Sequence, residues 1–240
     1  MMNTILAIET STERCSVALL HQGVVTERAI EGAKRHAQSV LVFVDALLNE
    51  AGVAKKQLDA VAFGRGPGAF TGVRLAVAVA QGFAYALDIP ALPVSTLAAT
   101  AFDAFSAMPE LQAKPLLVAL DARMGEVYVG RFAYQAGGFS EGGFNEGAVV
   151  ALDAEQVCRP DALVVHAREA CVGSGALCYA AKFTPQLELN AVPRASAIAR
   201  LARSVKPVIA EQALPVYLRD HVALSIRERL AAGMPVMQPL

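Results

Sequence analysis

The segment GRGPGAFTGVR, residues 64–74, places four glycines and one proline between two strongly apolar stretches. The stretch before it, LDAVAFG at 58–64, is short and apolar on both faces, which is typical of a strand in the middle of a covered sheet. The stretch after it, residues 72–87, is long enough for an α-helix and apolar on nearly every side. The segment therefore predicts a strand–loop–helix unit.

This glycine-rich loop has two interpretations. Backbone N–H groups at a helix start, beside the positive end of the helix dipole, can bind an anion. A Walker loop, however, requires GxxxxGK[ST], whereas Gly68 is followed by AFTGVR, and Gly72 lies one position beyond the third glycine of GxGxxG. The alternative is a tight connection in which Pro67 fixes φ and glycines adopt conformations barred to larger residues. The pattern favours this structural role, which we assign to Gly66, Pro67, Gly68, Phe70, Thr71, Gly72 and Arg74.

The first hundred residues alternate between strand and helix patterns. Three short runs rich in strand-forming residues predict an antiparallel meander at 4–10, 15–21 and 24–30. A helix is predicted at 35–52, with one apolar stripe made of Ala37, Val40, Leu41, Val44, Leu47, Leu48 and Ala51. With the strand–loop–helix unit and a closing segment at 88–95, these elements predict a first domain over residues 1–102.

The second half repeats the opening layout. The first strand of the chain ends in Glu9, and the strand predicted at 116–120 is followed by Asp121; each then passes through a short turn into another strand. An acidic side chain at this position in each of two facing domains is how actin-like and sugar-kinase-like folds line their interdomain cleft. We therefore predict an α/β protein with two βββαβα-type lobes, whose mixed sheets are flanked by helices. The second lobe covers 103–219, and a terminal helix near 220–232 packs back on the first.

The remaining patterns in the second half are weaker. The glycine-rich segment 133–147 predicts a hairpin loop, and residues 161–167 and 169–176 read as strands. The segment 193–205 predicts an amphipathic helix with Ala197, Ile198, Leu201 and Val205 on its inner side.

Composition excludes several classes of protein. The 240 residues are 55% hydrophobic and 18% charged, which is typical of a globular chain and not of a disordered one. The net charge of −1 without a basic block gives no electrostatic footprint for binding nucleic acid directly. The four cysteines form no CxxC pair and the start lacks a signal-peptide pattern, so we expect reduced thiols in the cytoplasm. Arg74 and Gln81 interrupt the most apolar stretch, which we expect to fall short of a membrane span.

Five segments carry a resemblance to a known family. They are ILAIETSTERCSVALL (5–20), GRGPGAFTGVRLAVAVAQGFAYAL (64–87), PVSTLAA (93–99), LDARMGEVYVG (120–130) and PVYLR (215–219), and in this order they closely resemble the bacterial TsaB family, also called YeaZ. The resemblance implies an actin/Hsp70-like (ASKHA) fold. It also implies a role in making N6-threonylcarbamoyladenosine at position 37 of tRNAs that read codons beginning with A.

The resemblance implies that, in this pathway, the chain is a non-catalytic partner of the enzyme TsaD and works with the ATPase TsaE. It also implies that the chain contacts tRNA only indirectly, through the complex. TsaD-type proteins hold a metal with an HxxxH pair, whereas His36 is followed four residues later by Val40, so we expect neither metal nor catalytic residues. The alternatives are an intrinsic ATPase or glycoprotease-like peptidase acting on a partner protein, and a stand-alone actin-like module that binds a small molecule.

The turn ETST at 9–12 matches the family's first phosphate turn but lacks the glycines that let a backbone wrap a triphosphate. We expect no intrinsic cofactor, with ATP or ADP bound only at an interface with partner proteins. The residues expected to form a degenerate nucleotide-facing surface are Glu9, Thr10, Ser11, Thr12, Gly66, Gly68 and Asp121.

The apolar excess of the two predicted helices indicates a protein interface. The helix at 72–87 is apolar over more than the roughly 100° that one core contact needs. The resemblance implies that these helices pack in a bundle against TsaD, or against a second copy of this chain when TsaD is absent. We expect a charge introduced at Val79 or Phe83 to abolish both assemblies while leaving the monomer folded. The predicted interface residues are Val40, Phe43, Val44, Leu47, Val73, Leu75, Ala76, Val79, Ala80 and Phe83.

Overall fold

The computed structural model describes residues 2–32, 35–137, 139–140, 143–144, 147–183 and 191–219. It contains two mixed sheets flanked by helices, which confirms the predicted α/β organisation. The terminal helix predicted near 220–232 lies outside the described residues.

The first sheet has the strand order β3-β2-β1-β4-β5. Its strands are β1 (Thr4–Glu9), β2 (Arg14–His21), β3 (Val24–Glu31), β4 (Ala60–Gly64) and β5 (Ala91–Val94). The first three form the predicted antiparallel meander, while β4 runs parallel to β1 and β5 parallel to β4. Both β1 and β4 are buried along their whole length, as expected of strands with helices on both faces.

Helices α1 (His36–Ala51) and α2 (Phe70–Leu87) cover one face of the first sheet. Helix α1 ends at Gly52, which adopts the left-handed conformation (φ 65°) and donates its N–H to the carbonyls of the last turn. The opposite face is covered by α3 (Thr96–Ala107) and α5 (Ala195–Leu201).

Helix α3 was not predicted, and the domain boundary placed at 102 falls inside it. Its residue Ala99 belongs to the core of the first sheet, whereas Leu97, Ala101 and Phe105 belong to the core of the second. The helix therefore fastens the two sheets to each other. A signal for it exists in the sequence, because Ser95 accepts the Ala98 N–H as an N-cap and apolar residues follow at helical spacing.

The second sheet has the order β10-β7-β6-β12, with β11 also paired to β7. Its strands are β6 (Leu116–Arg123), β7 (Glu126–Gln135), β10 (Ala148–Ala151), β11 (Gln156–Cys158) and β12 (Ala170–Val172). Strand β12 runs parallel to β6, as β4 runs parallel to β1. The predicted internal repeat thus has a structural counterpart, namely a hairpin whose first strand has a parallel neighbour.

In the second half, the glycine-rich segment forms the predicted hairpin, made of β8 (Phe139–Ser140) and β9 (Gly143–Phe144). The second half departs from the predictions in two other places. Residues 161–167 form no strand, and the segment 169–176 divides between β12 and the short helix α4 (Ser174–Cys178). The helix predicted at 193–205 is shorter, since α5 gives way to a 3-10 turn at Ala202–Ser204.

Helix α5 belongs to the sequence of the second predicted lobe but packs on the first sheet. The Ala195 N–H donates to Ser16 Oγ at 2.9 Å, and the Ser196 N–H donates to Glu27 Oε1 at 3.0 Å. Buried Ile198 adds an apolar contact with the same sheet. The lobes are therefore joined through shared elements.

Candidate functional site: the interlobe cleft and the exposed helix face

A cavity of about 540 Å³ lies between the two sheets. Its walls are the turn after β1, the loop after β4, the β6–β7 turn, α4 and residues 216–219. Of the predicted nucleotide-facing residues, Ser11, Thr12, Gly68 and Asp121 line it. The other three, Glu9, Thr10 and Gly66, are buried and do not line the cavity. For these three residues the prediction of a nucleotide-facing position was wrong.

The carboxylate of Glu9 is directed into the protein. It is fully buried, and its Oε1 accepts the Ser11 N–H at 2.6 Å, while its Oε2 accepts the Thr96 hydroxyl at 3.4 Å. The carboxylate occupies space that is free because Gly64 has no side chain; a Cβ at Gly64 would lie 1.9 Å from Oε2. From β1, the Glu9 side chain therefore packs against β4 and accepts a hydrogen bond from the start of α3.

The loop at 64–74 is filled by the backbone of the β1 turn. The Ala69 N–H donates to the Ser11 carbonyl at 2.7 Å, and Thr10 Oγ1 donates to the Gly72 carbonyl at 2.6 Å. A Cβ at Gly68 would lie 2.6 Å from the Ser11 carbonyl oxygen, and Gly66 has a positive φ of 93°. The backbone of residues 10–11 thus occupies the space against the start of α2 in which an anion would otherwise lie.

The arginines of the cleft are paired with carboxylates. Arg14 lies 2.7 Å from Glu31, and Arg123 lies 3.2 Å from Asp121 and 3.5 Å from Glu13 on the opposite wall. A phosphate ligand would have to compete with these carboxylates for the guanidinium groups.

The C-terminal segment crosses the same cleft. The Val216 N–H donates to the Arg65 carbonyl at 2.8 Å on the first lobe. On the second lobe, Arg219 lies 2.5 Å from Glu126 and donates to the Ala122 carbonyl at 3.1 Å. The segment therefore bridges the two walls.

His36, which stands where a metal-binding pair would begin, is buried in the protein. Its Nε2 donates to the Glu13 carbonyl at 3.1 Å, and Val40 is fully buried in the core. Within the described ranges, no group of three or more histidine, cysteine, aspartate or glutamate side chains is placed to hold a metal ion.

Glu9 makes the stability of the fold depend on pH. Burial raises the pKa of its carboxyl above the ordinary value, and the hydrogen bonds from Ser11 and Thr96 only partly oppose this. The folded state therefore holds the proton more tightly than the unfolded state, and this stabilisation is lost as pH rises through the folded-state pKa. As pH rises from 4 to 8, we expect the free energy of unfolding of Glu9→Gln to increase relative to that of wild type. Urea titrations across this range measure the difference, and parallel curves would contradict the expectation.

The predicted partner-interface residues divide into two groups. Six of them lie in the chain's own core and cannot contact a partner, which corrects the prediction: Val40, Val44, Leu47, Val73, Ala76 and Ala80. The other four are half-buried against the same core: Phe43, Leu75, Val79 and Phe83. The helices were apolar on two sides because one side packs on the sheet.

The exposed side of α2 is nonetheless poor in charge. Its exposed residues are Phe70, Thr71, Arg74, Ala78, Gly82, Tyr85 and Ala86, which we call the α2 stripe. Tyr85 is 76% exposed, and α1 adds Leu41 and Val42 at 53% and 62%. The four-residue spacing of 70, 74, 78 and 82 places these residues on one side of α2. Buried residues at 72, 76, 80 and 84 have the same spacing, so the sequence alone does not locate the stripe.

By length and composition alone, α2 passes as a membrane span, and it is the only such helix among the described residues. This differs from the expectation that Arg74 and Gln81 would disqualify it. The inner side of α2 packs in the core with β1 and β4, where Val73, Ala76 and Ala80 are buried.

Comparison with known proteins agrees with the resemblance in the sequence. Residues 4–141 match the family model of TsaD, tRNA N6-adenosine threonylcarbamoyltransferase. The chain is 36% identical over 229 residues to the tRNA threonylcarbamoyladenosine biosynthesis protein TsaB of Haemophilus influenzae, covering 91% of this chain and 94% of that protein. It is 34% identical over 240 residues to TsaB of Escherichia coli K12, covering 91% and 96%.

Solved structures give the same result. YeaZ from Pseudomonas aeruginosa has a TM-score of 0.77 and 40% identity, covering 90% of this chain and all of that one. A P. aeruginosa protein described as similar to peptidase YeaZ has a TM-score of 0.78 and 40% identity, covering 91% and 100%. Since relatives above 30% identity span nearly the whole chain, this protein belongs to the TsaB (YeaZ) family of tRNA threonylcarbamoyladenosine biosynthesis proteins.

Proposed function

We propose that this chain is a non-catalytic partner of a TsaD-type transferase. In this role it is needed for threonylcarbamoyl transfer to N6 of adenosine 37 in tRNAs reading codons that begin with A, and it works with TsaE in the cytoplasm. The observation that carries the proposal is the α2 stripe, a helix face exposed along its length with one charged side chain, Arg74.

The middle of the α2 stripe suits close packing against another helix. Ala78 and Gly82 are exposed and small, and a Cβ at Gly82 would meet nothing within 4 Å. Small residues let helix backbones approach closely, and the larger Tyr85 lies one turn beyond. Leu41 and Val42 on α1 add apolar area that is exposed to water in the single chain.

The interlobe cleft supports a non-catalytic role. Its arginines are paired with carboxylates, and the backbone at 10–11 fills the space at the start of α2. We therefore propose that any ATP or ADP binds only at an interface with partner proteins. The order β1–β3, α1, β4, α2 supports an actin-like first lobe, and the second lobe is a reduced version of it.

The match of residues 4–141 to the TsaD model supports the choice of partner. A transferase with a first lobe like this one would present an equivalent helix pair. The two helix pairs would then pack as a bundle, and a second copy of this chain would compete for the same surface. We propose a heterodimer with the transferase and a homodimer in its absence.

Placing a charge in the middle of the α2 stripe tests this interface. Val79 and Phe83 pack partly on the core, so a charge there would also disturb folding. We expect Ala78→Arg to weaken binding to the transferase at least about 100-fold, because a buried unpaired charge is costly, with little change in melting temperature. Calorimetric titration and sedimentation measure the two assemblies.

The matched control is Ala107→Arg at the exposed end of α3, which should leave both assemblies intact. Equal affinities for the two variants would contradict the proposed interface.

The pathway role is tested by reconstitution with the transferase, TsaE, tRNA and threonylcarbamoyl-adenylate. We expect formation of modified adenosine to require this chain and to fall, with Ala78→Arg, to the level seen without it. Product formation that is indifferent to the chain, or hydrolysis of ATP or peptide by the chain alone that is lost in Thr10→Ala, would overturn the proposal in favour of an enzyme.

A further inference from the structure

Three side chains form an exposed cluster where the α2 stripe meets the mouth of the cleft. The Arg74 guanidinium carbon lies 3.6 Å from the centroid of the Phe70 ring, and Arg74 Nε donates to the Tyr217 hydroxyl at 2.8 Å. The two rings are 5.7 Å apart, and both are about half exposed (Phe70 50%, Tyr217 47%). The stack and the hydrogen bond together fix the plane and the direction of the guanidinium.

The terminal nitrogens of this fixed guanidinium have no acceptor on the described part of the chain. Arginine carries five N–H donors, and the contact with Tyr217 uses only the one on Nε. The cleft arginines Arg14, Arg123 and Arg219 are each paired with a carboxylate, whereas none of the described residues forms such a pair with Arg74. The remaining N–H donors of the guanidinium, which we call the Arg74 fork, can bind a planar oxyanion through two parallel hydrogen bonds. Because the guanidinium is already held in place, less side-chain entropy is lost on binding.

We propose that Arg74 is the charged anchor of the partner interface and binds a carboxylate side chain of the transferase. This inference rests on the proposed function, because it assigns a specific contact to the same surface. Arg74 lies one helical turn before Ala78 on the α2 stripe, so a helix packed on that stripe brings its own side chains to the fork. Half-exposed rings around an arginine are also the composition typical of interface hot spots.

The surroundings favour a carboxylate from a protein over a phosphate from RNA. Binding to a nucleic acid backbone normally uses several lysines and arginines, but the other exposed residues of the α2 stripe are uncharged. Leu214, three residues before Tyr217, is exposed and extends the apolar surface next to the cluster. The chain as a whole carries a net charge of −1.

The first test is calorimetric titration of the full-length chain with the transferase. We expect Arg74→Glu to lower the affinity about 100-fold or more, because it places two carboxylates against each other. Arg74→Lys keeps the charge but loses the planar fork and should lower the affinity about tenfold. Tyr217→Phe removes only the hydrogen bond that directs the guanidinium and should cost a few-fold. The matched control is Arg168→Glu, at an exposed arginine in the second half, which should bind normally.

A charge exchange identifies the partner group. Each acidic residue at the transferase's contacting helices is changed to lysine, and one such change should restore binding to Arg74→Glu while weakening binding to wild type. If Arg74→Glu and Arg168→Glu bind equally well while Ala78→Arg does not, this inference fails and the proposed interface stands. If wild type forms no complex, or Ala78→Arg binds normally, both fail.

Pyrophosphate and unmodified tRNA form the third arm of the test. We expect the affinity of the isolated chain for either probe to be the same for wild type and Arg74→Met. Binding of either probe that Arg74→Met abolishes, together with unchanged affinity for the transferase, would overturn the carboxylate assignment in favour of a phosphate.

Discussion

Replacing Gly72 by alanine is expected to lower the free energy of unfolding by about 3 kcal/mol or more. Gly72 lies in the first turn of α2, and a Cβ there would stand 1.9 Å from the Thr10 carbonyl oxygen and 3.3 Å from the Ser11 Cα. These are backbone atoms, so no flexible side chain can move aside. Relief of the clash would displace the start of α2 from the β1 turn and break the hydrogen bond from Thr10 to the Gly72 carbonyl.

The same helix contains the matched control. Gly82 is exposed, and a Cβ there would meet nothing within 4 Å. Gly82→Ala should therefore raise the free energy of unfolding by about 0.5–1 kcal/mol, because alanine restricts the unfolded chain and favours the helix. Urea denaturation at concentrations where both variants are monomeric by size exclusion separates folding from association.

Gly72→Ala and Gly82→Ala change the same residue type in the same helix, so helix propensity cancels between them. A difference near zero would mean that the start of α2 can move away from residues 10–11 at little cost. The loop at 64–74 would then not be held by the β1 turn, and space for an anion could open at the start of α2.

Strands β1 to β4 and the two long helices of the first lobe could be predicted from the sequence because their signals are local. Alternating and continuous apolar runs identified the meander and β4, and Gly52 marked the end of α1. The recurrence of a strand, an acidic residue and a second strand at Asp121 also corresponds to a real hairpin with a parallel neighbour.

The direction of side chains at the site could not be predicted, because it depends on contacts between distant parts of the chain. Glu9 and Asp121 occupy equivalent positions in their hairpins, yet Glu9 points into the protein and Asp121 lines the cleft. The difference comes from Gly64, whose missing Cβ gives the Glu9 carboxylate a buried site on the neighbouring strand. Nothing within residues 9–12 indicates this.

The proposed partner surface illustrates the same limit. Ala76 and Ala80 were predicted to belong to the partner interface, but they are buried against the first sheet. The exposed small residues are Ala78, Gly82 and Ala86, on the other side of α2. A helix that is apolar all round does not show in its sequence which side meets its own sheet, because that side is set by the loop that starts the helix.

Replacing Arg131 by methionine is expected to lower the free energy of unfolding by about 3 kcal/mol or more. On β7, its guanidinium lies 2.7 Å from Glu169 and 2.9 Å from Asp153, and it donates to the Val164 carbonyl at 2.6 Å. Burial acts to lower the pKa of Arg131, but its hydrogen bonds to both carboxylates outweigh this and raise the pKa above its ordinary value. Arg131→Met would leave the buried Glu169 carboxylate without its cation.

A double variant shows whether the unpaired charge is the cause. Arg131→Met with Glu169→Gln removes both charges while the Gln oxygen still accepts the His166 N–H, so it should be more stable than Arg131→Met alone. Arg28→Ala, which breaks an exposed pair with Glu50, should cost less than about 1 kcal/mol. If Arg131→Met costs no more than Arg28→Ala, the second lobe is held by its apolar core, and the loops at 153 and 164–169 do not depend on this arginine.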